Sequence, residues 1–141
     1  MKAKYALRAM SELARAGDQR LQAHELAARC RAPGKFLETI LVALRSAGYV
    51  DSRRGQHGGH LLARPPEDIM IGDLIRAIDG PLASVRCASV TAYQPCRDCL
   101  DPDACALRSL MRESRDALSH VLDRRSLREF ATADVPLAAQ H

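Results

Sequence analysis

The chain has 141 residues, 47% hydrophobic but only 4% aromatic, with no tryptophan. That composition excludes global disorder and predicts one core built from Leu, Ala, Ile, Val and Met, which suits helices. The net charge of +4 is split: residues 1–64 hold twelve Lys/Arg against five Asp/Glu, a net of +7, and residues 65–141 hold nine against twelve, a net of −3, so one end is expected to meet a polyanion and the other is not.

Tyr5, Ala6, Leu7, Met10, Leu13 and Ala14 recur at helical spacing and predict an amphipathic helix over residues 2–16, stopped at Gly17-Asp18. Leu26 and Ala27 mark a second helix over 23–30. The break Ala32-Pro33-Gly34 leads into a third, 34–47, carried by Phe36, Leu37, Ile40, Leu41 and Leu44 and closed by Gly48. Tyr49–Arg54 reads as a short strand, Gly55-Gln56-His57-Gly58-Gly59 as a flexible tip, and His60–Ala63 as the returning strand of a hairpin with basic residues at its mouth. After Pro65-Pro66 a fourth helix runs from Ile71 to Asp79. Residues 81–104 have no period; they form a long loop with Pro81, Pro95 and Pro102, and a loop of that length marks function or disorder. From Ala106 the period returns through Leu107, Leu110, Met111, Leu118, Val121 and Leu122 as a long helix with a narrow stripe near heptad spacing. Ser126–Phe130 is expected to dock and 131–141 to fray. The fold class is therefore mainly α with a small β-hairpin.

Helix, helix, turn, helix and Gly-tipped hairpin is the order of a winged helix-turn-helix. A helix fits the major groove of a duplex, where base edges are distinguishable, while a neighbouring helix and hairpin hold it in place through phosphates. The third helix would turn Leu37, Ile40, Leu41 and Leu44 inward and show Lys35, Glu38, Thr39, Val42 and Arg45. Its N-terminus offers unpaired N–H groups to a phosphate. Glu38 is placed to accept from a cytosine amine, and Arg53, Arg54 and His57, with Gly58 and Gly59, would meet phosphate or minor groove. On position alone Glu38 is equally an ordinary surface carboxylate. The tip lacks the GxxxxGK[ST] pattern of a nucleotide-binding loop.

The sequence has no signal peptide and no apolar run of membrane-spanning length, so a cytoplasmic location without membrane contact is expected. In a reducing compartment five cysteines are not a disulfide framework. Four of them, Cys87, Cys96, Cys99 and Cys105, crowd one stretch, which points to metal or redox chemistry. The CxxC of Cys96 and Cys99 alone would suit zinc, with all four cysteines as ligands, or a redox dithiol. A thiol oxidoreductase needs a βαβ context, and this stretch has none, so no enzyme is expected. Cys30 is isolated in the head and reads as a core or surface residue.

Six stretches carry a resemblance: KAKYALRAMSEL (2–13), ELA (25–27), KFLETIL (35–41), LRSAGYV (44–50), RGQHGGH (54–60) and IGDLIRAIDG (71–80). Together they resemble the Rrf2 family of bacterial transcriptional regulators over residues 2–130. The resemblance implies a homodimer on a palindromic operator in double-stranded DNA, acting as a repressor, with Glu38 and Arg54 matching base-reading positions of IscR-like members. It also implies that Cys99 and Cys105, a C-x5-C pair ahead of the long helix, supply two ligands to an iron–sulfur cluster, with a third cysteine upstream. Four thiolates satisfy a [2Fe–2S] or a [4Fe–4S] centre. Two positions depart from the family. Arg108 stands where IscR-like members use a histidine, and Lys4 where NsrR-like members use an acid, which leaves Cys87 or Cys96 for the fourth place. The chain also starts a few residues later than is usual in the family, so contacts made there are expected to be missing. A clusterless regulator of the CymR type, acting by thiol oxidation or through a partner protein, and a zinc-stapled one remain alternatives.

The expected organisation is a DNA-binding head (1–64), a connecting helix and cysteine-rich sensor loop (65–104), a dimerisation helix and docking segment (105–130), and a disordered tail (131–141). Leu107, Leu110, Met111, Leu118, Val121 and Leu122 would bury one face in the head and one against a second copy. Arg112, Arg115, Arg124 and Arg125 read as a solvated face.

Overall fold

The computed structural model describes residues 2–83 and 85–133. Among the described residues six α-helices appear in chain order: α1 (Lys2–Ala16), α2 (Ala23–Cys30), α3 (Gly34–Ser46), α4 (Ile71–Asp79), α5 (Ala106–Leu122) and α6 (Leu127–Ala133). Between α3 and α4 lies an antiparallel hairpin of β1 (Val50–Arg53) and β2 (Gly59–Leu62), with Val50 opposite Leu62 and Arg53 opposite Gly59. The fold is a winged helix with a long helical arm.

α1 is the centre of the head. Ala6, Ala9, Met10 and Leu13 are fully enclosed, and α2, α3, α4 and α6 pack around them. From those helices Leu26, Leu37, Ile40, Leu44, Leu74 and Leu127 complete the core. Burying each of these side chains is worth about 1.5–3 kcal/mol. Cys30 is also fully enclosed in this core, and burial pushes its thiol up to about 12, so it is an inert hydrophobe. Because the apolar side of α3 is fixed in this way, Lys35, Glu38, Thr39, Val42 and Arg45 are left exposed.

The hairpin is fastened to the head as well as to itself. The Leu21 and His60 backbones exchange two hydrogen bonds, of 3.0 and 2.8 Å, which adds a short third rung beside β2. Arg20 pairs with Asp51 and also donates to the Gly59 carbonyl at 3.2 Å.

Two expectations about the C-terminal part need correction. Residues 126–130 are more than a docking segment, and 131–133 are not tail: α6 continues to Ala133, pinned where Leu127 N–H donates to Ile69 O (2.7 Å) and Leu127 is fully buried. The rest of the expected tail, 134–141, lies outside the described residues. The second correction concerns α5, which buries no face in the head. None of its residues is buried, and Leu122 is the member of its stripe that packs against the core. α5 is instead tied to α4 by Arg76, whose two Nη atoms reach Asp123 at 2.7 and 2.8 Å and whose Nη2 reaches Ser119 Oγ at 3.2 Å.

Candidate DNA-binding surface and cysteine loop

The exposed side of α3 faces the hairpin across a shallow groove lined by Ala23, Glu38, Val42, Arg45, Arg53 and Arg54. Pro33 precedes α3 and no side chain caps it, so the first-turn N–H groups remain open. Among the described residues, Lys35, Arg45, Arg53 and Arg54 are held in no ion pair. Asp51, the hairpin's acid, is neutralised: the hydrogen bond from Arg20 holds its carboxyl below the usual range. The groove therefore presents uncompensated positive charge, with Glu38 on its floor.

Thr39 is less available than its exposure suggests, because its hydroxyl donates to Lys35 O at 3.1 Å. His57 is exposed at the tip. His60 is half-buried and bonded to Ser52 Oγ at 2.7 Å; burial first, then Arg20 and Arg45, lowers its pKa below 6.5. Gly58 and Gly59 are both buried. A Cβ on Gly58 would lie 2.2 Å from Arg53 O, and one on Gly59, whose φ is +115°, would lie 2.8 Å from Leu21 O. Their part is to let the tip close on β1 and let β2 approach Leu21. The tip's glycines were legible in the sequence, but this close approach was not.

The cysteine loop is folded back on itself. A single 3-10 turn (Arg86–Ala88) buries Cys87. Downstream, Arg86 Nη1 donates to Gln94 Oε1 at 2.7 Å, Gln94 N–H returns to Arg86 O at 3.3 Å, and Ala92 N–H donates to Ser89 Oγ at 2.9 Å. This doubling brings the exposed Cys96 to Cys87, with the two Sγ atoms 3.6 Å apart. The hydrogen bond that Cys96 donates to Cys87 raises the Cys96 pKa above its ordinary value. Cys99 follows on the next turn, its N–H toward Cys96 O at 3.4 Å. Cys105 caps α5, its Sγ accepting the Arg108 N–H at 3.4 Å. Among the described residues, no three His, Cys, Asp or Glu side chains stand together as a metal site.

Two arginines that the sequence left unassigned, or assigned to solvent, hold this loop. Arg108 donates from Nε to Cys87 O (2.9 Å) and from Nη1 to Pro102 O (3.4 Å), pairs with Asp103 (3.3 Å), and lies 5.9 Å from the Tyr93 ring centre. Arg115, expected as part of a solvated face, is largely covered and donates to Ala88 O. No local signal marks either residue's hold on the loop, because the Cys87 and Ala88 carbonyls come from elsewhere in the chain.

The fold and its cationic groove define a winged helix-turn-helix DNA-binding protein. The family model described as Rrf2, iron-dependent transcriptional regulator, matches residues 1–133. The rrf2-like HTH-type transcriptional regulator of Rhodobacter capsulatus is 43% identical, over 97% of this chain and 94% of that protein. Among solved structures, CymR, the global cysteine regulator of Bacillus subtilis, superposes with a TM-score of 0.75 at 32% identity, covering 96% of each chain. IscR of T. potens gives 0.73 at 28%, covering 94% of this chain and 84% of that one. The chain belongs to the Rrf2 family: it is a DNA-binding transcriptional regulator and not an enzyme. Among the described residues, no helix is long and apolar enough to cross a membrane.

Proposed function

We propose that two copies of this chain, joined through α5, bind a palindromic operator with α3 and the hairpin, and that an iron–sulfur cluster held by the loop cysteines sets the affinity. The observation that carries the DNA part is the groove between α3 and the hairpin, where Arg45, Arg53 and Arg54 lack acidic partners and Arg20 cancels the hairpin's acid. Lys35, Arg45, Arg53 and Arg54 would take phosphates; Glu38 would read a base.

The dimer reading rests on α5. Leu107, Leu110, Leu118 and Val121 are 46–56% exposed, and their spacing of three, eight and three residues places them on one seam of a helix pair. A two-fold pair of heads matches a two-fold operator.

For the cluster, the donor set fits in chemistry, since thiolates are the usual iron–sulfur ligands. A metal–sulfur bond of about 2.3 Å puts two thiolates on one tetrahedral ion about 3.8 Å apart, close to the Cys87–Cys96 separation. Cys87 and Cys96 would thus hold one side, with Cys99 and Cys105 as the other ligands. When bound, the cluster would supply a centre responsive to iron, nitric oxide or redox state. Arg108 and Arg115 link the loop to α5, so a change in the loop's order reaches the dimer seam and the spacing of the two α3 helices. The test is anaerobic purification followed by iron, sulfide and visible absorption, with operator affinity measured before and after chelation. Bound iron and sulfide with a changed affinity supports the reading; a colourless protein that holds neither overturns the cluster part.

The structure's own arrangement favours a second reading. Only two of the four thiols are paired, and likeness to CymR is as high as to any sensor named above. A clusterless regulator acting through its thiols or a partner protein would keep sequence-selective binding when the loop cysteines become serine. Bound zinc without sulfide would mark the stapled form.

A further inference from the structure

The most reactive-looking pair in the sequence is the CxxC of Cys96 and Cys99. The fold pairs the thiols differently. Hydrogen bonds between Arg86 and Gln94, and between Ala92 and Ser89, double the loop so that Cys96 Sγ points at Cys87 Sγ, nine residues upstream and 3.6 Å away. Cys96 is exposed and Cys87 is buried on the protein side of it. An outward sulfur backed by an inward one is the arrangement of an attacked thiol with its resolving partner. A disulfide needs the sulfurs at about 2.05 Å, so the pair must close by about 1.6 Å.

We propose that Cys87 and Cys96 form a peroxide-oxidised disulfide site in the metal-free protein, one that excludes Cys99 and Cys105. Cys96 gives up its proton and its sulfur attacks a peroxide oxygen; the O–O bond breaks, hydroxide leaves and takes up that proton as water, and Cys96 becomes a sulfenic acid. The Cys87 sulfur then attacks the Cys96 sulfur, the S–S bond forms as the S–O bond breaks, and a second water leaves with the Cys87 proton. Two thiols lose two electrons and hydrogen peroxide gains them. Arg108 favours this pairing, since its Nε bond to Cys87 O at 2.9 Å keeps the Cys87 backbone where Cys96 reaches it. The linked pair can no longer ligate a metal, so oxidation and metal loading compete for the same two sulfurs. The site rests on thiol geometry alone and stands whether or not a cluster forms.

Trypsin separates the alternatives cleanly. Cleavage after Arg86, Arg97 and Arg108 puts Cys87 and Cys96 in peptide 87–97 and Cys99 and Cys105 in peptide 98–108. The full chain, stripped of metal by chelator and reduced, is treated with stoichiometric hydrogen peroxide, alkylated and digested. The expected result is peptide 87–97 about 2 Da lighter than its reduced form and unalkylated, with peptide 98–108 doubly alkylated. Cys87→Ser and Cys96→Ser each abolish the 2 Da loss, and the Cys87→Ser protein accumulates trappable sulfenic acid at Cys96. Covalent joining of the two peptides, a 2 Da loss on 98–108, or full alkylation of 87–97 after peroxide overturns the proposal. An iron-free protein from anaerobic purification leaves the expected peptide pattern unchanged, so the two readings fail separately.

Discussion

Replacing the hairpin glycines one at a time separates backbone strain from steric closure. Gly55 has φ +99° with nothing within 4 Å of an added Cβ, so Gly55→Ala meets strain alone. Gly58 carries no such backbone, but its Cβ would sit 2.2 Å from Arg53 O and 2.7 Å from the Arg54 carbonyl, so Gly58→Ala meets closure alone. Gly59 combines φ +115° with a Cβ 2.8 Å from Leu21 O, against the very residue whose backbone pairs with His60. A side chain held in an unfavourable backbone region costs about 1–3 kcal/mol, and forcing atoms into a filled space costs ~1–3 kcal/mol more. Gly59→Ala should then lose about 4 kcal/mol, against about 1 kcal/mol at Gly55, where the exposed turn can relax. For a chain of this length each kcal/mol moves Tm by about 3 °C, so the two variants should differ by about 9 °C. Urea denaturation followed by circular dichroism measures the difference, and faster hydrogen exchange at the Leu21 and His60 amides locates it. Equal losses at Gly55 and Gly59 would refute the packing of β2 on Leu21.

Three further outcomes follow from particular contacts. Leu110→Asp with Leu118→Asp should give a monomer in sedimentation while leaving the thermal unfolding of the head in place, because α5 buries none of its residues within one chain; a dimer that persists would remove α5 as the seam. Arg108→Ala should destabilise the loop by about 2 kcal/mol, the worth of charge-assisted hydrogen bonds, and speed tryptic cutting after Arg97, with Arg108→Lys recovering only part. For His60, the folded pKa is lowered, so below about pH 6.5 the unfolded chain binds the proton first and stability falls as pH drops; His60→Gln should flatten that fall in denaturation measured between pH 7.5 and 5, and an unchanged slope would clear His60 of the effect.

The head was legible because its helices obey one period. Leu37, Ile40, Leu41 and Leu44 mark the inner face of α3 in the sequence, and all four are buried. The hairpin was legible from its glycines, although the close approach of Gly58 to Arg53 and of Gly59 to Leu21 was not. α6 was read short because a seven-residue helix carries too few turns to show a period, and its place is set by Leu127 docking on Ile69. Arg108 and Arg115 were illegible for a related reason, since their acceptors, the carbonyls of Cys87 and Ala88, lie 21 and 27 residues away. The approach of Cys96 to Cys87 was illegible for the same reason: the spacing shows only the CxxC of Cys96 and Cys99, while hydrogen bonds inside the loop deliver Cys96 to Cys87.

The most direct test of the DNA surface is duplex affinity as a function of salt for the native protein, for the Arg53→Ala/Arg54→Ala variant, and for Arg128→Ala, whose side chain pairs with Glu67 and does not line the groove. Each phosphate contact contributes about 0.9 to the slope of log affinity against log salt, so losing two per protomer should flatten a dimer's slope by about 3.6. The account predicts that loss for the hairpin variant and none for Arg128→Ala. A hairpin variant with the native slope would contradict it.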